Sequence, residues 1–165
     1  MIPAFPVYLF DLDGTLLDSA PDICDGMIAD YRSIYLSRGH TRTAVYPGVM
    51  AGLSALPGRK ATATTKGTPT TRAVLQQFGL IQFFDHVQGT DGIPCKPAPD
   101  VLLAALNGLA GAPADCLMVG DSAADMEAGR RAGVRICAVR YGYGKPEDLA
   151  RWEPDYWVSD LRELL

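Results

Sequence analysis

Two short apolar runs in this chain stop abruptly at acidic residues, and that pattern narrows the choice of fold more than any other feature. The first, Val7-Tyr8-Leu9-Phe10, ends in Asp11-Leu12-Asp13-Gly14-Thr15. The second, Cys116-Leu117-Met118-Val119, ends in Gly120-Asp121-Ser122-Ala123-Ala124-Asp125. Short apolar, β-favouring runs closed by glycine read as buried strands. Helical patterns lie between them, and alternating strands and helices predict an α/β fold built on a doubly wound parallel sheet. Ligands bind such sheets beyond the carboxyl ends of the strands, where both acidic clusters fall. Residues two apart in an extended chain point the same way, so Asp11 and Asp13 are expected to enter one crevice. Gly14 allows backbone amides to approach an anion, and Thr15 adds a hydroxyl. An acidic turn selected only for its geometry explains Asp125 equally well, but it explains Asp-x-Asp-Gly-Thr poorly, because that pattern is rare by chance.

The intervening segments fill in this outline. Ile23, Met27, Ile28, Tyr31, Ile34 and Tyr35 recur at helical spacing, which predicts an amphipathic helix from Asp22 to Ser37 with Ser19 as N-cap and Pro21 in its first turn. Thr41 to Tyr46 reads as irregular, and a short helix follows Pro47-Gly48 as far as Leu56. A strand over Lys60–Thr64 ends among hydroxyls, Thr62, Thr64, Thr65 and Thr68, that can meet phosphate oxygens. A helix runs from Pro69 through Phe78, and a third strand is expected over Phe83–Gly89. Lys96 lies between two prolines in an irregular passage, Thr90 to Pro99, that can aim it; by itself it reads as an ordinary surface lysine. Helices are expected over Asp100–Leu109 and from Ser122 to Gly133, and further strands over Arg135–Val139 and Tyr156–Val158. Tyr141-Gly142-Tyr143-Gly144 reads as a turn, or as the rim of a substrate site.

With 165 residues, 48% of them hydrophobic, the chain suits a single domain over 1–165 with a full core. Fifteen basic and nineteen acidic side chains give a net charge of −4, with no basic run to bind nucleic acid. The four cysteines are scattered and there are only two histidines, which argues against a zinc site and for buried free thiols in a reducing cytoplasm. No signal peptide and no apolar stretch long enough to span a membrane are evident, so a cytoplasmic protein is expected.

Asp11, Asp13, Asp121 and Asp125 could not share a crevice without positive charge to offset them. Magnesium suits oxygen-only ligands and accepts carboxylates together with a substrate phosphate, while Lys96 can supply the rest. Asp11 is placed to act as a carboxylate nucleophile that forms an aspartyl-phosphate. Asp13 can protonate the departing oxygen and later take a proton from water. Thr64, Lys96 and the metal would offset charge on the phosphoryl oxygens.

The ordered set Asp11 to Thr15, Thr64-Thr65, Lys96 before Pro97, and Gly120 to Asp125 resembles the haloacid dehalogenase superfamily over nearly the whole chain. The phrases Leu17-Asp18-Ser19-Ala20-Pro21, Tyr46-Pro47-Gly48 and Lys96-Pro97-Ala98-Pro99-Asp100 resemble its phosphoglycolate phosphatase branch. The resemblance implies that Asp11 is nucleophile and metal ligand, and that Asp13 is the acid/base whose carbonyl also touches the metal. It likewise implies that Thr64, Thr65 and Lys96 hold the phosphoryl group, with Asp121 a metal ligand supported by Asp125. Two departures stand out. Thr65 occupies the place where this branch usually has Asn. The helical cap that relatives insert after the first motif is reduced here to a residual region over 20–45, about one helix. Such an open site suits a bulkier phosphorylated substrate as well as a small one, or a homodimer in which the apolar stripe on the 22–37 helix meets a partner instead of its own core. Two other readings stay open, a receiver-like phospho-acceptor and a phosphoryl-ligand binding module without catalysis.

Overall fold

The computed structural model describes residues 1–20 and 42–165. The expected helix over 22–37 lies outside the described residues. Val7, Tyr8, Leu9 and Phe10 are all buried and form β1 (Val7–Phe10). Bulky and aromatic residues of this kind fit a pleated surface covered on both faces. β1 pairs in parallel with β4 (Arg59–Thr62) on one side and β5 (Cys116–Gly120) on the other. β6 (Arg135–Val139) and β7 (Tyr156–Val158) continue the sheet, giving the order β4-β1-β5-β6-β7.

Successive residues of β1 serve opposite layers. Tyr8 and Phe10 join the core beneath α1 (Val49–Ala55) and α2 (Thr68–Gln77) through Val49, Leu53, Val74 and Leu75. Val7 and Leu9 join the core beneath α3 (Asp100–Gly108) and α4 (Ala123–Ala132) through Val101, Leu102, Ala105 and Met126. Helices therefore cover both faces, as the alternation predicted. A short α5 (Pro146–Ala150) buries Leu149 against the second layer. Because the chain crosses β1 in passing from β4 to β5, the strand order reverses around β1, and a crevice opens above its carboxyl end.

Two local expectations are corrected. The run Phe83–Gly89 is not a strand: residues Ile81–Phe83 form a 3-10 turn, and only His86 bridges to Ala61 of β4. The reason is a side chain acting in place of the backbone ladder, because the Thr62 hydroxyl donates to Gln88 O and accepts from Gln88 N, both at 2.9 Å. The passage Thr41 to Tyr46 is more regular than expected. Within it β3 (Ala44–Val45) pairs antiparallel with β2 (Leu17–Asp18) as a two-stranded ribbon. Cys116 and Cys137 are buried free thiols, pushed up to about 12 by burial, whereas Cys95 is exposed. Among the described residues no helix is long and apolar enough to cross a membrane.

Candidate active site

The sheet register brings three strand ends to one level. Phe10 is opposite Thr62 and Val119, and the ladder runs one step further through Asp11 N–H to Val119 O at 3.0 Å and Ala63 N–H to Phe10 O at 2.8 Å. Asp11 therefore emerges between Ala63 and Gly120. Lys96 reaches the same point from its loop, 85 residues from Asp11 in sequence. Its ammonium donates to Asp11 Oδ1 at 2.6 Å, Asp125 Oδ1 at 2.5 Å and Ala63 O at 2.8 Å, and all three of its hydrogens are used. Burial alone would lower the Lys96 ammonium, but Asp11 and Asp125 outweigh it and hold the group well above its ordinary range.

Asp121 and Asp125 come from the β5–α4 turn. Asp125 completes a capping box with Ser122: its Oδ2 accepts from Ser122 N at 2.9 Å, while the Ser122 hydroxyl receives Asp125 N at 3.2 Å. Asp125 thus serves both as a helix cap and as a partner of Lys96. Asp121 is buried, with Oδ1 accepting from the Thr15 hydroxyl at 3.3 Å and Oδ2 from Tyr143 N at 2.8 Å. Burial and the charge of Asp125 push its carboxyl up to about 6, against the pull of those two donors and Lys96. Burial likewise pushes Asp11 up; Lys96 opposes the rise, and Asp125 and Asp121 add to it.

Gly14 satisfies two demands here. Its φ is +86°, and a Cβ on it would run into the Asp121 carboxylate. Gly142 meets the same carboxylate from the other side, where a Cβ would collide with the Asp121 side chain and Gly14 O. The 141–144 loop is accordingly the rim of the site: Tyr143 and Gly144 line a cleft of about 360 Å³ together with Asp11, Asp13, Thr65, Lys96, Asp121, Ser122 and Ala124.

Asp13 shares this cleft but has different partners. Its Oδ1 accepts from the Ser19 hydroxyl at 2.6 Å, and its Oδ2 lies 3.2 Å from Lys66 Nζ. Thr64 is buried and its hydroxyl oxygen accepts from Lys66 N at 3.3 Å, whereas Thr65 is exposed at the cleft wall. Sequence reasoning missed Lys66 and Ser19 as members of the site, whereas Tyr143 lies in the loop it offered as either a turn or a rim. A cation two positions after Thr64 and an aromatic residue between two glycines were the available signals.

The donor chemistry suits a hard divalent cation. Asp11, Asp121 and Asp125 each offer an oxygen within 4.8 Å of the others, all three residues are buried, and one lysine among them leaves an excess of negative charge. Asp125 has both oxygens engaged, by Lys96 and Ser122, and Asp121 has both engaged, by Thr15 and Tyr143. Among the described residues, Asp11 Oδ2 accepts no hydrogen bond.

A family model described as haloacid dehalogenase-like hydrolase matches residues 20–139, a span that contains Thr64, Lys96, Asp121 and Asp125 and begins after Asp11 and Asp13. The chain is 33% identical over 138 residues to the phosphoglycolate phosphatase of Nitrosococcus oceani, covering 81% of this chain and 61% of that protein's length. It is also 33% identical to the plasmid phosphoglycolate phosphatase of Cupriavidus necator, covering 94% of this chain and 90% of the relative. That alignment runs over 207 positions, more than the chain's 165 residues, so the relative has residues with no counterpart here. In the crystal structure of a predicted phosphatase from Clostridium acetobutylicum, the backbone is similar at a TM-score of 0.85, with 26% identity and coverage of 98% and 97% of the two chains.

Proposed function

The chain belongs to the haloacid dehalogenase-like hydrolases, and on that footing we propose that it is a magnesium-dependent phosphatase that cleaves a phosphate monoester through an aspartyl-phosphate on Asp11. One observation carries the reading: Asp11 stands at the centre of a buried group formed with Lys96, Asp121 and Asp125, with Asp13 in the same cleft. Asp11 and Asp121 would hold the metal, together with the Asp13 carbonyl, and Asp125 would support them through Lys96. When bound, the cation would draw charge from the phosphoryl oxygens and offset the crowded carboxylates.

The protein's own groups account for the remaining chemistry. Lys96 fixes one Asp11 oxygen and leaves the other for attack on phosphorus. As the bond to the ester oxygen breaks, Asp13 gives that oxygen a proton. Asp13 then takes a proton from water, which attacks phosphorus, frees inorganic phosphate and restores the Asp11 carboxylate. The hydroxyls of Thr64 and Thr65 would bind phosphoryl oxygens; Thr64 keeps its own hydrogen for this, because its oxygen is only an acceptor toward Lys66 N.

We assign residues 20–45 to a reduced cap inserted through the β2–β3 ribbon, with the extra alignment positions in the Cupriavidus necator relative as support. The substrate is a phosphorylated small molecule or a larger phosphate ester, phosphoglycolate being the candidate from the relatives' names. A shortened lid should loosen selectivity toward bulkier esters. Phosphate release from phosphoglycolate, an aryl phosphate and a sugar phosphate tests the reading. Many equivalents per protein with magnesium, and none with chelator, are expected; a single equivalent followed by arrest would indicate a phospho-acceptor instead.

A further inference from the structure

The Tyr143 phenol makes bonds that the reaction scheme leaves without a role. Its oxygen accepts two successive backbone amides, Ser19 N at 2.5 Å and Ala20 N at 2.7 Å, and donates to Asp18 Oδ1 at 3.0 Å. These three contacts use the full capacity of a phenol, two acceptor positions and one donor. They fall where the chain leaves β2. The same residue is fixed from the other side, because its own amide donates to Asp121 Oδ2 at 2.8 Å. Ser19 is fully buried, and its hydroxyl donates to Asp13 Oδ1 at 2.6 Å.

These bonds form one continuous path from Asp121 through Tyr143 and Ser19 to Asp13. We propose that Tyr143 is a positioning residue for Asp13: its phenol pins the backbone at Ser19 and Ala20, and so aims the Ser19 hydroxyl at the carboxylate that must face the leaving oxygen. This inference rests on the phosphatase reading, in which Asp13 delivers that proton. With Ser19 on Oδ1 and Lys66 beside Oδ2, the Asp13 carboxylate is held at both oxygens. The Ser19 contact depends on a backbone that the Tyr143 phenol fastens at two successive amides. Without the phenol, the two amides lose their acceptor and the peptide at Ser19 is free to turn away.

The Tyr143→Phe variant keeps the ring on the cleft wall and removes only the hydroxyl. An alkyl phosphate needs its leaving oxygen protonated, whereas nitrophenolate leaves without help. The kcat/KM value reports enzyme phosphorylation and excludes later attack by water. In the variant it should fall about tenfold or more for an alkyl phosphate and stay within about twofold for p-nitrophenyl phosphate, since misplacing an acid harms only steps that need it. Ser19→Ala should give the same split, and Ser19→Thr should restore the alkyl rate. Independently of turnover, amide exchange at Ser19 and Ala20, followed by NMR, should quicken about tenfold or more in Tyr143→Phe, as their protons lose a protein acceptor. An equal fall on both substrates, no fall on either, or unchanged exchange at the two amides would overturn the proposal while leaving the phosphatase standing. A wild-type protein that turns over neither ester would remove the phosphatase reading, and this inference with it.

Discussion

Replacing Asp11 by Asn should lower phosphatase turnover by about four orders of magnitude or more, the scale seen when an enzyme loses its nucleophile, while leaving the fold intact. The amide has the carboxylate's shape but cannot attack phosphorus. Lys96 would still hold Asp125 Oδ1 and Ala63 O, so the buried ammonium keeps two of its three acceptors. One of three crowded negative charges would be gone. The metal-free variant should therefore melt at or above the wild-type temperature, and magnesium should raise that temperature less than it does in the wild type. Functional carboxylates packed this closely are retained at a cost in stability, so an inactive but undamaged variant is the expected signature. Steady-state rates on an aryl phosphate, with melting curves in chelator and in magnesium, check both halves. A loss below about a hundredfold would place the nucleophile elsewhere.

Lys96→Met should act in the opposite way and damage the fold first. The side chain is buried, and removing it leaves Asp11 and Asp125 without their counter-charge. Breaking a buried pair from one side costs about 3–5 kcal/mol, or roughly 10 °C in melting temperature for a chain of this size. Magnesium should recover more of that loss in the variant than it adds to the wild type. The pH dependence follows from the same charges. Asp121 titrates near 6 in the folded protein and near 3.9 when unfolded. Between those values the native state holds more protons than the unfolded one, so the metal-free protein should lose stability as pH rises from about 4 to about 6. Magnesium favours the charged form and should stabilise most at the upper end of that range. Urea unfolding in chelator at pH 4.5 and pH 7 tests the sign; a metal-free protein that gains stability across this interval would contradict the charge assignment.

Much of the site could be read from the chain because strand ends leave local marks. β1 and β5 announce themselves by apolar runs that stop at acid, and α4 by Ser122 and Asp125 spaced for a capping box. What escaped was set by contacts between distant residues. The β2–β3 ribbon is two residues long on each side, too short for any periodicity to register. The run Phe83–Gly89 has the composition of a strand, yet its pairing is taken over by the Thr62 hydroxyl. Lys66 meets Asp13 and Tyr143 meets Ser19 only after folding, so the local signals at these positions do not identify the partners. The reading of Tyr141 to Gly144 as either turn or rim was resolved by Asp121, whose carboxylate occupies the space that a Cβ at Gly142 would need.

The central claim is that Asp11 itself carries the phosphoryl group. Acid-quenching the wild-type protein during turnover and treating it with borohydride would reduce an acyl phosphate to the alcohol, converting that aspartate to homoserine, which peptide mass spectrometry can locate. Homoserine at position 11, dependent on both substrate and magnesium, is the predicted result. Turnover that proceeds with position 11 unmodified and homoserine at another carboxylate would contradict the account.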